Sequence, residues 1–430
     1  MAQDAAGPPA TRAERDRAAR IAAYAGFAIQ GLCFAVLVTR VPQIQQAHHL
    51  SDGTLAIVLL LVPVIAGVGS VLSGVIFSRY GSGIVLRATQ PAVCVAAVLV
   101  GLTGDNDAAL YFAVALFGLF VGAVDASMNA QAVAVERRYR MSLINGHYAV
   151  WSAAGILGGL WVSLANKIDL SLFIGFAVPA AVGLAGSLYT GPRLYRKLEE
   201  GSAPSGAELK AAAKLVPWRP ILIIGAAMGI MYLADAATST YSTKYLQDEL
   251  DSSSAVAPLA YVAYQIAMVA SRAIADFGVR RFGPTQVVRA GAIVGLIGLT
   301  GVVAAPNAVM AIGAFAVAGL GLCVVPPVSF SAAGKIDPTG LGVAVSRVNV
   351  FNYVGFVAGA AVIGAIAPTD PDNGLRIAFI VPAVLTLIIV LAARGFEPAP
   401  VARADGPGGS AGSGGTGGMD APSVTERPVT

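Results

Sequence analysis

The chain has 430 residues, 56% of them hydrophobic and only 12% charged, with a mean hydropathy of +0.72. Soluble domains carry about 25% charged residues, so a soluble globular protein is excluded. The net charge of +4 would fit nucleic acid or acidic lipid, but the placement of the charges along the chain points to membrane orientation instead.

Residues 1–20 hold Arg12, Arg15, Arg17 and Arg20. No small-residue cleavage site precedes the first apolar stretch, so they read as a solvated arm that helps to set topology and not as a removable leader. Twelve apolar stretches follow in two sets of six: 21–39, 54–78, 84–103, 108–136, 142–165 and 170–190, then 219–243, 255–279, 285–304, 308–332, 341–366 and 374–394. About 20 apolar residues cross the hydrocarbon layer as a helix, and only helices or closed barrels satisfy every backbone polar group there. The expected fold is all-α: 12 transmembrane helices in two pseudo-symmetric six-helix bundles. The bundles occupy 21–190 and 219–394, joined by a polar linker, 191–218, that carries Arg193, Arg196, Lys197, Glu199, Glu200, Lys210 and Lys214. Residues 395–430 are rich in Gly, Ser and Pro without an apolar period and read as a disordered tail. Their glycines lack the Lys-Ser/Thr of a phosphate loop.

With both termini on the cytoplasmic side, only Arg40, Lys167, Lys244 and Arg376 fall in outer loops, and Arg272 and Arg347 lie inside spans. All the others of the 28 Lys and Arg residues lie on the inner side. This asymmetry fixes orientation and requires an even number of spans. Cys33, Cys94 and Cys323 sit in apolar spans without paired spacing and read as small core residues. His48 and His49 are adjacent, point apart and have no third ligand nearby, so neither a metal nor a cofactor is expected.

The two halves repeat. After the second span comes Gly74-Val-Ile-Phe-Ser78-Arg79-Tyr80-Gly81; after the eighth comes Arg280-Arg281-Phe282-Gly283. Internal symmetry of this kind belongs to transporters built from two related bundles. The first loop resembles that of the major facilitator superfamily, G-x-L-x-D-R-x-G-R-R, with Ser78 in place of the aspartate and Ser82-Gly83 in place of the basic pair. A closer likeness, to a fucose-permease-like branch, rests on Thr39-Arg40-Val41-Pro42-Gln43-Ile44, on Asp125 to Gln131 leading to His147-Tyr-Ala-Val-Trp151, and on Ser271-Arg272-Ala-Ile-Ala-Asp276. The resemblance covers about residues 20–395. It implies a two-bundle fold, alternating access and proton coupling. The branch also tends to carry an acidic residue at the place of Asp235 and an aromatic six places on, filled here by Tyr241.

Of 24 acidic residues, only Asp125 and Asp235 lie well inside spans. A carboxylate in hydrocarbon costs about 2.5 kcal/mol or more, and a carboxyl taken out of water holds its proton more tightly. Such groups are natural proton carriers. Asp125 lies 12 residues before Arg137, roughly 18 Å from the inner edge and near the midplane. Asn129 is one turn away, and the next span brings His147 and Trp151 to similar depths. These four side chains are expected to share one cavity wall, with Asp125 carrying the proton, His147 as relay, and Asn129 and Trp151 on the cargo; an interhelical packing cluster is the bland alternative. Asp235 lies farther out, in a polar stripe with Tyr232, Thr238, Ser239 and Tyr241, and is a second proton-coupling candidate. Gln30, Tyr261, Tyr264 and Gln265 are further cavity candidates.

Arg347, followed by Asn349, Asn352 and Tyr353, has no acidic neighbour in sequence and either meets an anionic group of the cargo or snorkels to the inner surface. Arg272 and Asp276 are spaced as an intrahelical pair and, with Gly74, Arg79, Gly81, Arg281 and Gly283, form the candidate cytoplasmic gate. Arg40 either reaches outer headgroups or guards the cavity mouth. The glycines 155, 158, 159, 355 and 359 read as packing faces.

The leading expectation is a monomeric secondary active transporter, in contact with lipid and not with nucleic acid. It would move a small organic solute, sugar-like or otherwise polar, across the plasma membrane by proton-coupled alternating access. An efflux protein for drugs or metabolites stays open within the class, favoured by an apolar cavity. A non-transporting receptor or lipid-handling protein is the reading from another class. No enzyme is expected, because no activated nucleophile accompanies the buried His and Asp residues.

Overall fold

The structure, a computed structural model, describes residues 9–141, 143–200, 206–338, 343–370 and 372–396. The tail expected from 395 on is described only at its first two residues, which belong to a helical turn (Ala393–Phe396) with Phe396 buried; the rest of it, the start of the N-terminal arm and the middle of the linker lie outside the described residues, as does the side chain of Asp276. The N-terminal half comprises α1 (Pro9–Thr39), a short α2 (Val41–Ala47), α3 (Asp52–Tyr80), α4 (Ser82–Gly101), α5 (Asp107–Tyr139), α6 (Ile144–Lys167) and α7 (Leu172–Thr190). The linker contributes α8 (Gly206–Leu215). The C-terminal half comprises α9 (Trp218–Asp248), α10 (Leu259–Phe282), α11 (Pro284–Ala304), α12 (Ala308–Leu322), α13 (Val325–Ile336), α14 (Val343–Ile366) and α15 (Gly374–Ala392). Among the described residues, 11 stretches are long and apolar enough to cross a membrane, with α12 and α13 counted as one. The 24-residue α10 stands at the remaining span position. Pro326 and Pro327 explain the break between α12 and α13: they lack N–H donors, and their rings crowd the carbonyls of the preceding turn.

Helix boundaries follow local chemistry. Ser51, Asn106, Ser171 and Asn307 each accept a hydrogen bond from the backbone N–H three residues on and cap α3, α5, α7 and α12. All four caps lie away from the basic loops, on what is here called the opposite side. On the basic side the paired turns are built alike. Arg79 lies over the ring of Tyr80 and Arg281 over the ring of Phe282, each 5.5 Å from the centroid. Gly81 (φ 94) and Gly283 (φ 81) then reverse the chain in a region that side chains disfavour.

Packing repeats as well. Helices α1 and α6 pair as α9 and α14 do; α3 and α5 as α10 and α12; α4 and α7 as α11 and α15. Between the halves, α6 meets α10 and α3 meets α14. Without a hydrophobic force between helices in lipid, close backbone approach supplies the attraction. The α3–α5 contact shows it: Gly122 faces the Ala66 carbonyl and Gly69 the Leu119 carbonyl, with no room for a Cβ at either.

The arm departs from the solvated segment expected and packs on the linker. Helix α1 begins at Pro9, and Arg15 binds Glu199 (2.7 Å) and the carbonyls of Arg193 and Leu194. Asp16 accepts from Tyr195 Oη at 2.8 Å and pairs with Arg138 at 3.2 Å. Glu200 folds onto the start of α4, where it accepts from Ser82 N (3.2 Å), Ser82 Oγ (2.9 Å), Gly83 N (3.1 Å) and Gln131 Nε2 (3.0 Å). A helix N-terminus leaves N–H groups without partners and favours a negative group. The residues that replace the superfamily's basic pair thus form this carboxylate's seat.

Replacing Gly122 with Val should overpack the α3–α5 contact and destabilise the fold by about 1–3 kcal/mol. The measurement is the midpoint of heat-induced loss of the monodisperse peak in detergent. Gly67→Ala, which meets nothing within 4 Å, should leave that midpoint in place.

Candidate functional site

A cavity of about 180 Å³ lies between the halves. Helices α1, α3, α5, α6, α9, α10, α13 and α14 line it, whereas α4, α7, α11 and α15 contribute nothing. The halves therefore meet around a chamber.

Asp125 of α5 lies in the wall, and each of its oxygens has a partner. Asn129 Nδ2 donates to Oδ1 (3.3 Å) and to the Asp125 carbonyl (2.9 Å). Tyr353 Oη donates to Oδ2 at 3.1 Å from α14, across the divide. Tyr148 Oη donates to Asn129 Oδ1 at 3.0 Å, so a polar chain runs Tyr148–Asn129–Asp125–Tyr353 from one half to the other. Asp235 of α9 also lines the cavity and accepts from Tyr264 Oη at 2.7 Å. Arg272 of α10 faces the cavity and donates to the Tyr148 carbonyl (3.1 Å) and Ser152 Oγ (3.2 Å) of α6. It thus reaches across the halves. Trp151 Nε1 donates to Gln30 Oε1. Four rings that line the cavity follow one another, Trp151–Phe34–Phe356–Tyr232, with centroids 5.9, 6.5 and 6.1 Å apart.

Of the residues singled out in the sequence, Gln30, Asp125, Trp151, Tyr232, Asp235, Asn352 and Arg272 line the cavity; Asn129 stands behind Asp125. Others lie elsewhere. His147 is buried against α1: its ring stacks on Tyr24 at 4.0 Å, and Nδ1 bonds the Leu143 carbonyl at 2.8 Å. The expected shared wall with Asp125 does not form, because successive helix residues point about 100° apart and Tyr148 takes the cavity side. Tyr148 was not singled out; its spacing from Trp151 and Ser152 (i, i+3, i+4) was the available signal.

Arg347 also leaves the cavity. It donates to the carbonyls of Ala213 (2.6 Å) and Val216 (2.8 Å) and stacks over Trp218, tying the linker to α14. Tyr241 packs toward the Ala360 carbonyl of α14, and Ser239 is buried beside it. Tyr261 and Gln265 hydrogen-bond to each other (3.2 Å) and fill the α6–α10 contact over Gly155. Gly74, Arg79, Gly81, Arg281 and Gly283 lie at the basic-side ends of α3, α10 and α11. Arg40 reaches neither headgroups nor the cavity mouth: only 1% of it is exposed, it packs on Gly175 of α7, and burial lowers its pKa to about 10. His48 bonds Asp107 (3.0 Å) and Thr103 (2.9 Å).

The halves are held together on the opposite side. Lys244 of α9 binds Gln45 Oε1 (2.6 Å), Asp52 Oδ1 (3.0 Å) and Asp248. Ser163 and Asn166 of α6 donate to the carbonyls of Ala255 and Ser254. Among the described residues, no three His, Cys, Asp or Glu side chains are grouped to hold a metal.

Comparison with known proteins agrees with this fold. The sequence matches the family model described as Major Facilitator Superfamily over residues 23–338 and 223–419. It is 27% identical over 368 residues to an uncharacterised MFS-type transporter of Yersinia pestis, covering 86% of this chain and 93% of that one. It is 26% identical over 345 residues to the membrane protein MosC of Rhizobium meliloti, covering 79% and 82%. Among solved structures, the nucleoside transporter NupG superposes with a TM-score of 0.69 at 12% identity, covering 89% of this chain and 98% of that one. The outward conformation of FucP, a Major Facilitator Superfamily transporter, gives 0.61 at 14% identity, covering 88% and 98%.

Lys244→Met should loosen the closure on the opposite side by roughly 1–2 kcal/mol, a five- to thirtyfold shift in population. Spin labels at Asp105→Cys and Asp372→Cys should then show a longer-distance component in pulsed electron resonance that the parent lacks.

Proposed function

The chain belongs to the Major Facilitator Superfamily, and we propose that it is a proton-coupled secondary transporter of a small polar organic solute. The observation that carries this reading is the Asp125–Tyr353 hydrogen bond, which joins a carboxyl of one half to a phenol of the other across the cavity. When Asp125 takes up a proton it loses its negative charge, and the pull on Tyr353 and Asn129 weakens. Cargo that replaces the phenol would couple proton binding to separation of the halves. Asp235, held by Tyr264, offers a second proton site in the other half. Closure at Lys244 describes one end state of alternating access; rocking the bundles around the cavity gives the other. The basic side is read as cytoplasmic, the membrane as the plasma membrane and the protein as a monomer.

The row of four aromatic rings beside carboxyl and amide groups suits a solute with a flat face and hydroxyls, such as a sugar or a nucleoside. NupG, similar in fold, is described as a nucleoside transporter. Efflux of apolar compounds is a second reading, supported by the apolar wall at Leu59, Val62 and Pro63 and by Met128, Met231 and Met268 around the cavity.

The test is uptake into proteoliposomes of labelled neutral sugars, uridine and lipophilic cations, with and without a pH gradient. Gradient-driven accumulation of a sugar or uridine is expected; movement of the lipophilic cations alone supports efflux. Asp125→Asn should lower accumulation about tenfold and leave solute exchange largely intact. If Asp125→Asn concentrates solute as well as the parent, Asp125 is not the coupling group.

A further inference from the structure

The half of α9 on the opposite side carries six consecutive hydroxyl residues, Thr238 to Thr243. Its counterpart in the first bundle, the matching half of α1, carries a single hydroxyl residue, Thr39 at its very end, and that hydroxyl donates to the Ala35 carbonyl at 2.6 Å. A packing rule common to both bundles does not explain that difference. Thr238 and Ser242 are fully buried, and their hydroxyls have no hydrogen-bond partner. They lie on the same helical face as Asp235, Tyr245 and Glu249; the spacings are 3, 4, 3 and 4 residues, so all five fall within an arc of roughly 80°. The stripe starts in the cavity wall at Asp235 and ends at Glu249, just beyond the end of α9, about 21 Å away along the axis.

Neighbours at these spacings have Cβ atoms about 5–6 Å apart, the distance one water bridges with two ordinary O–H···O bonds. Buried hydroxyls without a partner cost free energy unless water supplies one. At the far end, Glu249 Oε1 accepts from the backbone N–H groups of Leu375 (2.8 Å) and Arg376 (3.2 Å), while Oε2 is buried without a hydrogen bond and lies 3.8 Å from Arg376 Nε.

We propose that the Asp235–Thr238–Ser242–Tyr245–Glu249 face of α9 is a proton path through the C-terminal bundle, joining the cavity to the opposite side past the Lys244 closure. Protons move along it by hydroxyl and water exchange, with no bond made other than O–H. Burial raises the pKa of the Glu249 carboxyl, and the backbone donors and Arg376 partly offset this, so the outer end can hold and release a proton. The ionisable groups facing the path are Tyr232 and Asp248 on α9 itself, Tyr261, Tyr264 and Arg272 from α10, Cys323 at the end of α12 and Arg376 from α15. Tyr245 donates to the Val302 carbonyl at 2.6 Å and must swing or exchange that bond for a proton to pass. The inference rests on the proposed function only in taking Asp235 as a proton-binding group.

The test needs no cargo. The full chain is reconstituted in phosphatidylcholine–phosphatidylglycerol vesicles loaded with a pH dye, and a potassium–valinomycin potential drives protons inward. The parent should conduct above protein-free vesicles. T238V/S242A and Asp235→Asn should each cut that flux about tenfold, and Ser242→Thr should retain it. Thr243→Val removes an equally buried, unpartnered hydroxyl from a different face and should conduct like the parent. The proposal is overturned if the parent conducts no more than bare vesicles, if T238V/S242A conducts like the parent, or if Thr243→Val loses as much flux. Gradient-driven solute uptake by the parent, measured separately, shows whether such a failure belongs to the path alone or to proton coupling as a whole.

Discussion

A carboxylate inside the hydrocarbon layer has to be hydrogen-bonded or wetted, and this constraint organises the molecule. The two acidic residues deepest in the spans, Asp125 and Asp235, sit on helices of different halves and face the same cavity. Packing the halves into one solid bundle would force them into lipid or against apolar side chains. Helices α4, α7, α11 and α15 stay out of the cavity wall and hold the lining helices from behind.

Adhesion within a half and adhesion between halves use different physics. Inside each half, glycine against carbonyl lets helices approach until backbones touch, as at α3–α5 and again where Gly355 and Gly359 meet α9. Such contacts are dry, numerous and costly to disturb. Between the halves, beside apolar contacts such as Gly159 with Val262 and Phe34 with Phe356, stand exchangeable polar ones: Lys244 with Gln45 and Asp52, Arg272 with Tyr148 and Ser152, Tyr353 with Asp125. Hydrogen bonds of this kind can be exchanged for water or cargo at modest cost. Two stiff bodies joined by exchangeable polar contacts are what a rocking motion about the cavity requires.

The two halves follow one plan, and their differences are informative because the shared fold does not demand them. The Arg-aromatic-Gly turns at Arg79–Gly81 and Arg281–Gly283 are near copies. The start of α4 is not copied: Ser82 and Gly83 receive the linker carboxylate of Glu200, which Gln131 steadies from α5. A loop without the superfamily's aspartate and basic pair is fastened by a charge supplied from more than a hundred residues away. The row of hydroxyls on α9 is a second departure, and it lies in the same helix as Asp235.

Much of this was legible in one dimension. Apolar run length dictates membrane helices, because lipid offers the backbone no other partner. The rarity of acids inside those runs marks Asp125 and Asp235, since each has a cost that composition makes visible. What the chain alone could not decide was which face of each helix turns inward and what lies across from it. One residue of rotation separates Tyr148, in the cavity wall, from His147, stacked on Tyr24. Arg347 meets linker carbonyls that are 131 and 134 positions away in sequence, and Arg40 finds its place on a glycine of α7. Periodicity places a side chain on its own helix, but partners on other helices are set only when the helices pack, and that depends on every contact at once.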